Sequence, residues 1–324
     1  MNNINKESAS QISQQTPIPL EYGGQRFDKV AALIFSEFSR AELTRWIVEG
    51  DLTLNGKTTK PKTTVWGGEI LALNTLREVR EAWDKAEPVE FEIVYEDEDI
   101  LVINKPVGLV VHPGAGNPSG TLVNGLLHHR PSLSELPRAG VVHRLDKDTS
   151  GVMVVAGSHK AQRHLVEAIQ EREVERRYMA ICEGVMVTGQ DVDKPIGRDL
   201  KVRTKQAVRD DGKPALSQIR VRERYRSHTL VNVKLGSGRT HQIRVHMQSI
   251  GFPLVGDSRY GCRRIIPKGA DTETIAVLRN FDRQALHAAK LAFAHPQTGE
   301  MMKFAVSPPE DFNQLNEALA LDAR

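Results

Sequence analysis

Cysteine is rare in this chain of 324 residues, and long apolar runs are missing. The two cysteines, Cys182 and Cys262, lie far apart and neither belongs to a CxxC pair. This usage excludes a disulfide framework and a Cys-rich zinc site, and it fits a reducing compartment. No apolar stretch is longer than a strand, and residues 1–15 are rich in Asn, Ser and Gln, which excludes a membrane span and a signal peptide. We therefore expect a cytoplasmic protein.

Aromatic residues are also scarce, at 5%, and neither sign of charge dominates, because the formal net charge is only +3. A charge this small does not by itself indicate a nucleic-acid partner. Its distribution is uneven, since residues 69–99 are strongly acidic and residues 198–226 are strongly basic. The basic segment is either a surface that contacts phosphates or a solvated charged face. The length suits about two domains.

The first domain is predicted over residues 18–74, after a disordered N-terminus at 1–17. A first helix follows from the apolar spacing that starts at Phe27. Ser39 opens a second helix as the first residue of a capping box. Asn55-Gly56 then marks a hairpin turn. A cluster of lysines follows this turn and consists of Lys57, Lys60 and Lys62.

This helix-helix-hairpin unit resembles an S4 domain, a small RNA-binding module. The matching residues are Arg26-Phe27-Asp28, Ser39-Arg40, and the stretch from Val48 to Lys57. The resemblance implies that the lysine cluster contacts RNA. The alternative is a generic small αβ cap without a ligand.

The second domain is predicted over residues 91–324, after a charged linker at 75–90. It begins with a hairpin whose strands lie around 91–95 and 100–106, and the apolar run 152–156 indicates a buried strand. Further strands are expected at 178–183, 215–223, 229–235 and 301–306, and helices at 161–172, 273–282 and 310–319. Because strands dominate and hairpin turns outnumber βαβ spacings, we predict an α+β fold with a mixed, largely antiparallel central sheet.

Asp146 is the leading candidate for a reactive group. It lies between Arg144 and Lys147 in a polar loop that directly precedes the buried strand. Neighbouring positive charge favours the ionised carboxylate, which suits a nucleophile or base acting on an anionic substrate. The alternative is an ordinary ion pair in a surface loop.

Two further clusters carry candidate site residues. In the first, Tyr178 begins an apolar strand behind Arg176 and Arg177, so that its ring could stack on a nucleobase while the arginines hold phosphates. The alternative is a core tyrosine at a strand edge. The second cluster runs from Gly236 to His246 and is either functional or a solvated polar loop. It lacks the ligand spacing of a zinc site.

Arg239, His241 and Arg244 are the candidates in the second cluster. A guanidinium can hold a carboxylate through two parallel hydrogen bonds, so Arg244 is a suitable partner for a buried carboxylate.

The three motifs together resemble the RluA family of pseudouridine synthases over nearly all of residues 18–310. They are 143–151, 177–180 and 238–246. The resemblance implies that Asp146 is the catalytic aspartate, that Tyr178 stacks on the target uracil and that Arg244 pairs with the aspartate. It also implies that Arg144 occupies the space left by a flipped nucleotide. We further predict that Arg177, Arg239 and His241 contact RNA.

Within the family, residues 110–118 and 281–288 are most similar to the D type of large-subunit synthase. This similarity implies an enzyme that isomerises more than one uridine in a stem-loop of 23S ribosomal RNA, free or in a precursor of the large ribosomal subunit. We expect it to be a monomer. The C type shares the motifs and the S4 domain and acts on other uridines of that RNA. The isomerisation needs no cofactor and no metal.

Two other classes of protein compete with this interpretation. A non-enzymatic S4-type assembly factor would leave Asp146, Tyr178 and Arg244 without a role. A glycoside hydrolase would need a second carboxylate paired with Asp146, and the sequence shows none clearly.

Overall fold

The structure is a computed structural model that describes residues 10–35, 38, 40–77, 85–114, 116–202 and 204–324. The chain divides into two compact units, which consist of residues 1–82 and residues 83–324. Among the described residues, no helix has both the length and the apolar character needed to cross a bilayer.

The first unit packs two helices on a small antiparallel sheet. In chain order its elements are β1 (Ser10–Pro17), α1 (Phe27–Ile34), α2 (Arg40–Glu49), β2 (Leu52–Leu54) and β3 (Ile70–Arg77). The strand order is β1-β3-β2. Phe27 and Val30 of α1 and Trp46 of α2 are fully buried in its core. The predicted helix start at Ser39 lies outside the described residues.

The N-terminal strand differs from the disorder predicted for residues 1–17. Residues 10–17 pair with β3 along their whole length, from Ser10 opposite Arg77 to Pro17 opposite Ile70. Ile12 also packs against the core of the unit. The polar composition suggests disorder, but the open edge of β3 supplies a backbone partner for every residue of β1, and the Ser and Gln side chains can remain in solvent. Residues 1–9 lie outside the described part of the chain.

The second unit consists of one large sheet with helices on both faces, plus a small separate ribbon formed by β9 and β10. Its elements in chain order are β4 (Glu92–Glu96), β5 (Ile100–Lys105), α3 (Leu122–His129), β6 (Ser150–Ala156), α4 (His159–Gln170), β7 (Glu175–Glu183), β8 (Asp191–Asp193), β9 (Ile196–Arg198), β10 (Gln206–Val208), β11 (Leu216–Arg224), β12 (His228–Leu235), α5 (Gln242–Ser249), α6 (Thr272–Asn280), β13 (Leu286–Ala294), β14 (Met301–Ala305) and α7 (Glu310–Asp322).

The large sheet has the order β4-β5-β6-β13-β7-β12-β11-β8, and β14 also pairs with β13. Among the described strands, β6 and β13 form the parallel pair and the remaining pairs of the sheet are antiparallel. The prediction of an α+β fold with a mixed, largely antiparallel sheet is therefore confirmed.

Strand β6 shows why the sheet is stable, because all seven of its residues are buried. Met153 and Val155 face the core that α3 and α5 cover. Val152 and Val154 face the opposite core, which α4 covers with Leu165. A strand buried on both faces is a continuous apolar run, as in residues 152–156.

Six elements of the second unit were not predicted. These are the helices α3 and α5 and the strands β8, β9, β10 and β13. The predicted linker at 75–90 also differs in part: β3 extends to Arg77, and Lys85 accepts a hydrogen bond from Asn124 through its carbonyl oxygen at 2.8 Å. Residues 78–84 lie outside the described part.

Candidate active site

A polar loop, residues 143–149, places Asp146 just before strand β6. The ammonium group of Lys105, at the end of β5, supports this loop from inside the protein. It donates hydrogen bonds to three backbone carbonyl oxygens, including that of Lys147 at 3.0 Å. Burial lowers the pKa of Lys105 to about 7. The backbone next to Asp146 is thus held by a rigid strand.

Arg244, in the first turn of α5, connects two carboxylates. Its Nη1 donates to Oδ2 of Asp146 at 3.0 Å, and its Nε and Nη2 donate to the two oxygens of Asp257 at 2.7 and 2.9 Å. Burial disfavours the charge on Arg244, but the hydrogen bonds and charges of the two carboxylates outweigh burial and raise its pKa. A permanent cation therefore holds Asp146 in place through one of its two oxygens.

His241 and Tyr260 complete the surroundings of Asp146. His241 precedes α5 in a left-handed conformation with φ of 56°, and its Nε2 lies 3.9 Å from Oδ1 of Asp146. Its Nδ1 lies 2.7 Å from the Tyr260 hydroxyl, which also accepts a hydrogen bond from the Gln206 backbone N–H. Burial lowers the pKa of His241, so the ring is neutral at pH 7. The guanidinium of Arg244 lies over the Tyr260 ring, 4.9 Å from its centroid.

Tyr178 is on the central strand β7, between Val233 of β12 and Ala288 of β13. It is 6% exposed, and burial raises the pKa of its hydroxyl. The strand therefore fixes the ring position through neighbours on both sides.

Six of the predicted site residues line one cavity of about 1140 Å³. They are Arg144, Asp146, Tyr178, Arg239, His241 and Arg244. The cavity is large enough for a nucleotide and its immediate neighbours. The glycine-rich stretch that begins at His112 also forms part of its wall.

Exposed arginines surround the mouth of this cavity. They are Arg138, Arg144, Arg172, Arg239 and Arg259. Their positive field suits a polyanion, because clustered guanidinium groups attract and position phosphates.

Four predicted RNA contacts are not among the residues that line this cavity. Arg177 is exposed on the strand face opposite Tyr178 and donates to Glu175 at 2.6 Å. Lys57, Lys60 and Lys62 are exposed residues of the other unit. The structure thus joins the three motifs and leaves these four residues outside their site.

Sequence reasoning missed three residues of the site. Asp257 and Tyr260 follow Arg244 in a loop that has no local sequence signal, and only the fold brings them to it. Arg176 was named only as a phosphate contact, but it is buried in the cavity wall. Among the described residues, no three His, Cys, Asp or Glu side chains are grouped as metal ligands.

Comparison with known proteins shows which class of protein the chain resembles. The RNA pseudouridylate synthase family matches residues 99–249, a stretch that includes Asp146, Tyr178 and Arg244. The solved structure of human RNA pseudouridylate synthase domain containing 4 is 26% identical with a TM-score of 0.54, and the match covers 71% of this chain and 93% of that one. For human RNA pseudouridylate synthase domain containing 1, the identity is 25%, the TM-score 0.52 and the coverage 72% and 87%.

Bacterial relatives extend the similarity to nearly the whole chain. The ribosomal large subunit pseudouridine synthase D of Vibrio vulnificus is 50% identical over 98% of this chain and 97% of its own length. The protein of the same name from Xanthomonas campestris pv. campestris is 48% identical over 100% and 97%. That from Pseudomonas aeruginosa is 51% identical over 96% and 97%. The chain belongs to the RNA pseudouridine synthase family and is an isomerase.

Proposed function

We propose that this enzyme isomerises uridines in 23S ribosomal RNA, with Asp146 as the catalytic carboxylate. The target follows the relatives, which are named large-subunit synthases of the D type. One observation supports the proposed chemistry. Asp146 lies in the cavity and accepts a hydrogen bond from Arg244, which also donates to Asp257. The proposal includes a cytoplasmic location, which an RNA substrate in ribosomes supports, and a monomeric enzyme.

The role of Asp146 follows from its surroundings. Arg244 donates a hydrogen bond to the carboxylate, and the loop backbone is fixed by Lys105. An ionised carboxylate can add to C1′ of the ribose, or it can remove the 2′ proton to give a glycal. In either route the N-glycosidic bond breaks, the uracil turns, and C5 bonds to C1′. The reaction transfers no electrons, so the enzyme requires no redox cofactor.

Tyr178 and Arg144 act on the geometry of the substrate. Asp146 lies in a cavity of the protein, and a base inside an RNA stack cannot reach it. The target nucleotide therefore leaves the stack, which costs about a few kcal/mol and least in a loop. The buried ring of Tyr178 offers a surface for the flipped uracil. Arg144, exposed at the mouth, occupies the vacated space, and Arg239 and His241 bind the adjoining RNA.

The first unit, which contains the domain predicted over residues 18–74, serves in this proposal as an S4-like RNA-binding domain. Besides Lys57, Lys60 and Lys62, this unit has two arginines that share one carboxylate. Arg26 and Arg40 both donate hydrogen bonds to Asp28. Burial alone would raise the pKa of Asp28, but these hydrogen bonds hold it below its ordinary value. Both guanidinium groups stay about half exposed, at 48% and 53%. A fixed pair of exposed cations is a suitable phosphate contact.

Sequencing of pseudouridines in 23S ribosomal RNA tests this function. We expect cells that lack the gene to lose specific pseudouridines, wild-type protein to restore them, and Asp146→Asn to restore none. The change preserves shape and removes charge. Asp210→Asn, the same change at an exposed position, is the control and should restore the full pattern.

The outcome also separates the D type from the C type, because each type modifies its own uridines. Unchanged pseudouridines in the deletion strain would refute the proposed target. Restoration by Asp146→Asn, in a protein that binds the RNA, would refute the catalytic assignment.

A further inference from the structure

Arg176 is a buried cation that lacks a partner. It is the second residue of β7 and only 4% exposed, and its Nε and Nη2 have no hydrogen-bond partner among the described residues. The other buried arginines of the cavity, Arg244 and Arg283, are each bound to a carboxylate, from Asp257 and Asp311. Burial of an uncompensated guanidinium is costly, so Arg176 has a function that offsets this cost.

The side chain of Arg176 is directed into the same cavity as Tyr178. The two residues are two positions apart on one strand and so share a face of the sheet. A Cβ atom at Gly238 would lie 2.7 Å from Nη1 of Arg176, so the glycine leaves room for the guanidinium. Beyond the effect of burial, the charges of both Arg176 and Asp146 act on the pKa of Tyr178. Arg176 is therefore within electrostatic reach of the reacting groups.

The depth of Arg176 indicates which part of the RNA it contacts. The arginines that suit phosphates, such as Arg239 and Arg259, are exposed at the mouth of the cavity. A flipped nucleotide inserts its base first, while its phosphates stay near the mouth. The buried donors of Arg176 are thus placed to meet the polar edge of the base.

We propose that Arg176 binds a carbonyl oxygen of the flipped uracil and stabilises the negative charge that this base acquires when the glycosidic bond breaks. When the bond between C1′ and N1 breaks, its electron pair remains on N1 and spreads to O2 and O4. C5 then bonds to C1′, and as the C5 proton leaves, N1 gains a proton. Both routes open to Asp146 pass through this charged base, and the inference rests on the proposed function.

The test uses a stem-loop of 23S ribosomal RNA that carries the uridine mapped by sequencing. Single-turnover rates and dissociation constants at several salt concentrations are measured for wild type, Arg176→Met and Arg176→Lys. Arg176→Met should lower the rate at saturating RNA at least 100-fold. Arg176→Lys should recover part of it, because the charge remains and the two-pronged geometry is lost. Arg163→Met, an exposed position on α4, is the matched control and should match wild type.

Three readouts separate a contact to the base from other roles. Loss of a base contact leaves the salt dependence of binding unchanged, whereas loss of a phosphate contact lowers its slope by about one. Wild type and Arg176→Met should bind equally well to the same stem-loop made abasic at the target. The melting temperature of Arg176→Met should equal or exceed that of wild type, because the variant removes an uncompensated buried charge.

Each contrary result has a definite meaning. A shallower salt slope with an unchanged rate would assign Arg176 to a phosphate and overturn the inference. A melting temperature well below that of wild type, with no recovery in Arg176→Lys, would assign it to packing and overturn it too. If wild-type enzyme fails to modify the stem-loop, the proposed function itself fails, so the two failures are distinguishable.

Discussion

At the scale of single residues, the three charged side chains Asp257, Arg244 and Asp146 are linked in a row and become more exposed along it. The side chain of Asp257 is 1% exposed, that of Arg244 8% and that of Asp146 16%. The innermost carboxylate takes two hydrogen bonds from the guanidinium, and the outer one takes a single bond. Asp257 therefore compensates the buried cation, and Asp146 keeps one oxygen that accepts no hydrogen bond from Arg244 and that the proposed chemistry can use. Reactive carboxylates need this combination of fixation and access.

The tyrosine ring can be tested separately from its hydroxyl. Tyr178→Phe keeps the ring, so it should bind RNA like wild type and retain turnover. Tyr178→Ala loses the ring and should weaken binding by roughly 1–3 kcal/mol, the usual contribution of stacking on one base. Both variants are compared by RNA titration and single-turnover assay.

Tyr95 of β4 provides the control, because its hydroxyl donates to Asp97 and it is not among the residues of the cavity. Its Phe and Ala variants should leave RNA affinity unchanged. Equal affinity of Tyr178→Ala and wild type would show that Tyr178 does not touch the base. A collapse of turnover in Tyr178→Phe would assign a chemical role to the hydroxyl.

His228 should make the protein sensitive to acid. It is fully buried and neither ring nitrogen has a hydrogen-bond partner among the described residues. Burial lowers its pKa from 6.5, against the opposing charges of Glu183 and Asp322. Below pH 6.5 the unfolded chain takes up a proton that the folded protein does not, so stability falls as pH falls.

His228→Phe removes this proton uptake. Between pH 7.5 and pH 5.5, urea unfolding should show a smaller loss of stability than in wild type. His128→Phe, at an exposed position, is the control and should keep the wild-type pH dependence. The same loss of stability in His228→Phe as in wild type would contradict this assignment.

At the scale of elements, short helix α5 is the part of the site that sequence patterns describe least well. Its buried face carries Gln242, Arg244 and His246, which the sequence presents as a polar loop or strand edge. These polar side chains can be buried because their hydrogen-bonding groups have partners inside the protein. Gln242, for example, donates to the Leu216 carbonyl oxygen and the Ser217 hydroxyl. Hydrophobic periodicity cannot detect a helix whose buried side chains are polar.

Apolar patterning explains which other elements were predictable. Runs such as those of β6 and β12 are predicted because their branched side chains suit a buried strand. Strand β13 was missed because it is rich in alanine, and only its place between β6 and β7 makes it a strand. In the site, charge pattern and the family's motifs pointed to Asp146, Tyr178 and Arg244, which line the same cavity, whereas Asp257 depends on tertiary contacts alone.

The anchoring of α5 leads to a prediction for Asp257→Asn. The change leaves Arg244 buried with one carboxylate instead of two, and such a break typically costs 3–5 kcal/mol. The unfolding free energy should fall by about this amount, and the single-turnover rate should fall with it because Arg244 no longer orients Asp146. Chemical denaturation and a turnover assay measure both effects.

Asp191→Asn is the matched control, because Asp191 pairs with Arg220 on the surface of β11. An exposed pair contributes about 0–1 kcal/mol, so this variant should stay close to wild type in both assays. Equal effects of the two substitutions would show that the Arg244 pair is no stronger than a surface contact.

At the scale of the whole molecule, chemistry and RNA binding are assigned to separate units. The cavity with Asp146 is formed by residues after 109 alone. The first unit has its own core, which includes Phe27, Leu43 and Trp46. The second unit has independent cores on both faces of its sheet. Each unit therefore has the apolar burial that a folded domain needs.

Removal of residues 1–82 should consequently leave a folded enzyme that binds RNA poorly. In the proposed function the lost lysines and arginines position phosphates and take no part in the reaction, so the single-turnover rate at saturating RNA should stay close to wild type. The dissociation constant should rise and its salt dependence should become shallower, because fewer counterions are released on binding. Titrations at several salt concentrations measure both effects, and circular dichroism verifies the fold.

The full-length triple variant of Lys57, Lys60 and Lys62 to Gln separates these charges from the rest of the unit. Each lysine that contacts a phosphate contributes about 0.7–0.9 to the salt slope, so three contacts lower it by roughly 2–3 while the turnover rate is unchanged. If the truncated protein binds ribosomal RNA as tightly as the full chain, with the same slope, the first unit does not bind the substrate. A reduced slope in the truncated protein but not in the triple variant would instead assign the contacts to Arg26 and Arg40, which Asp28 holds together.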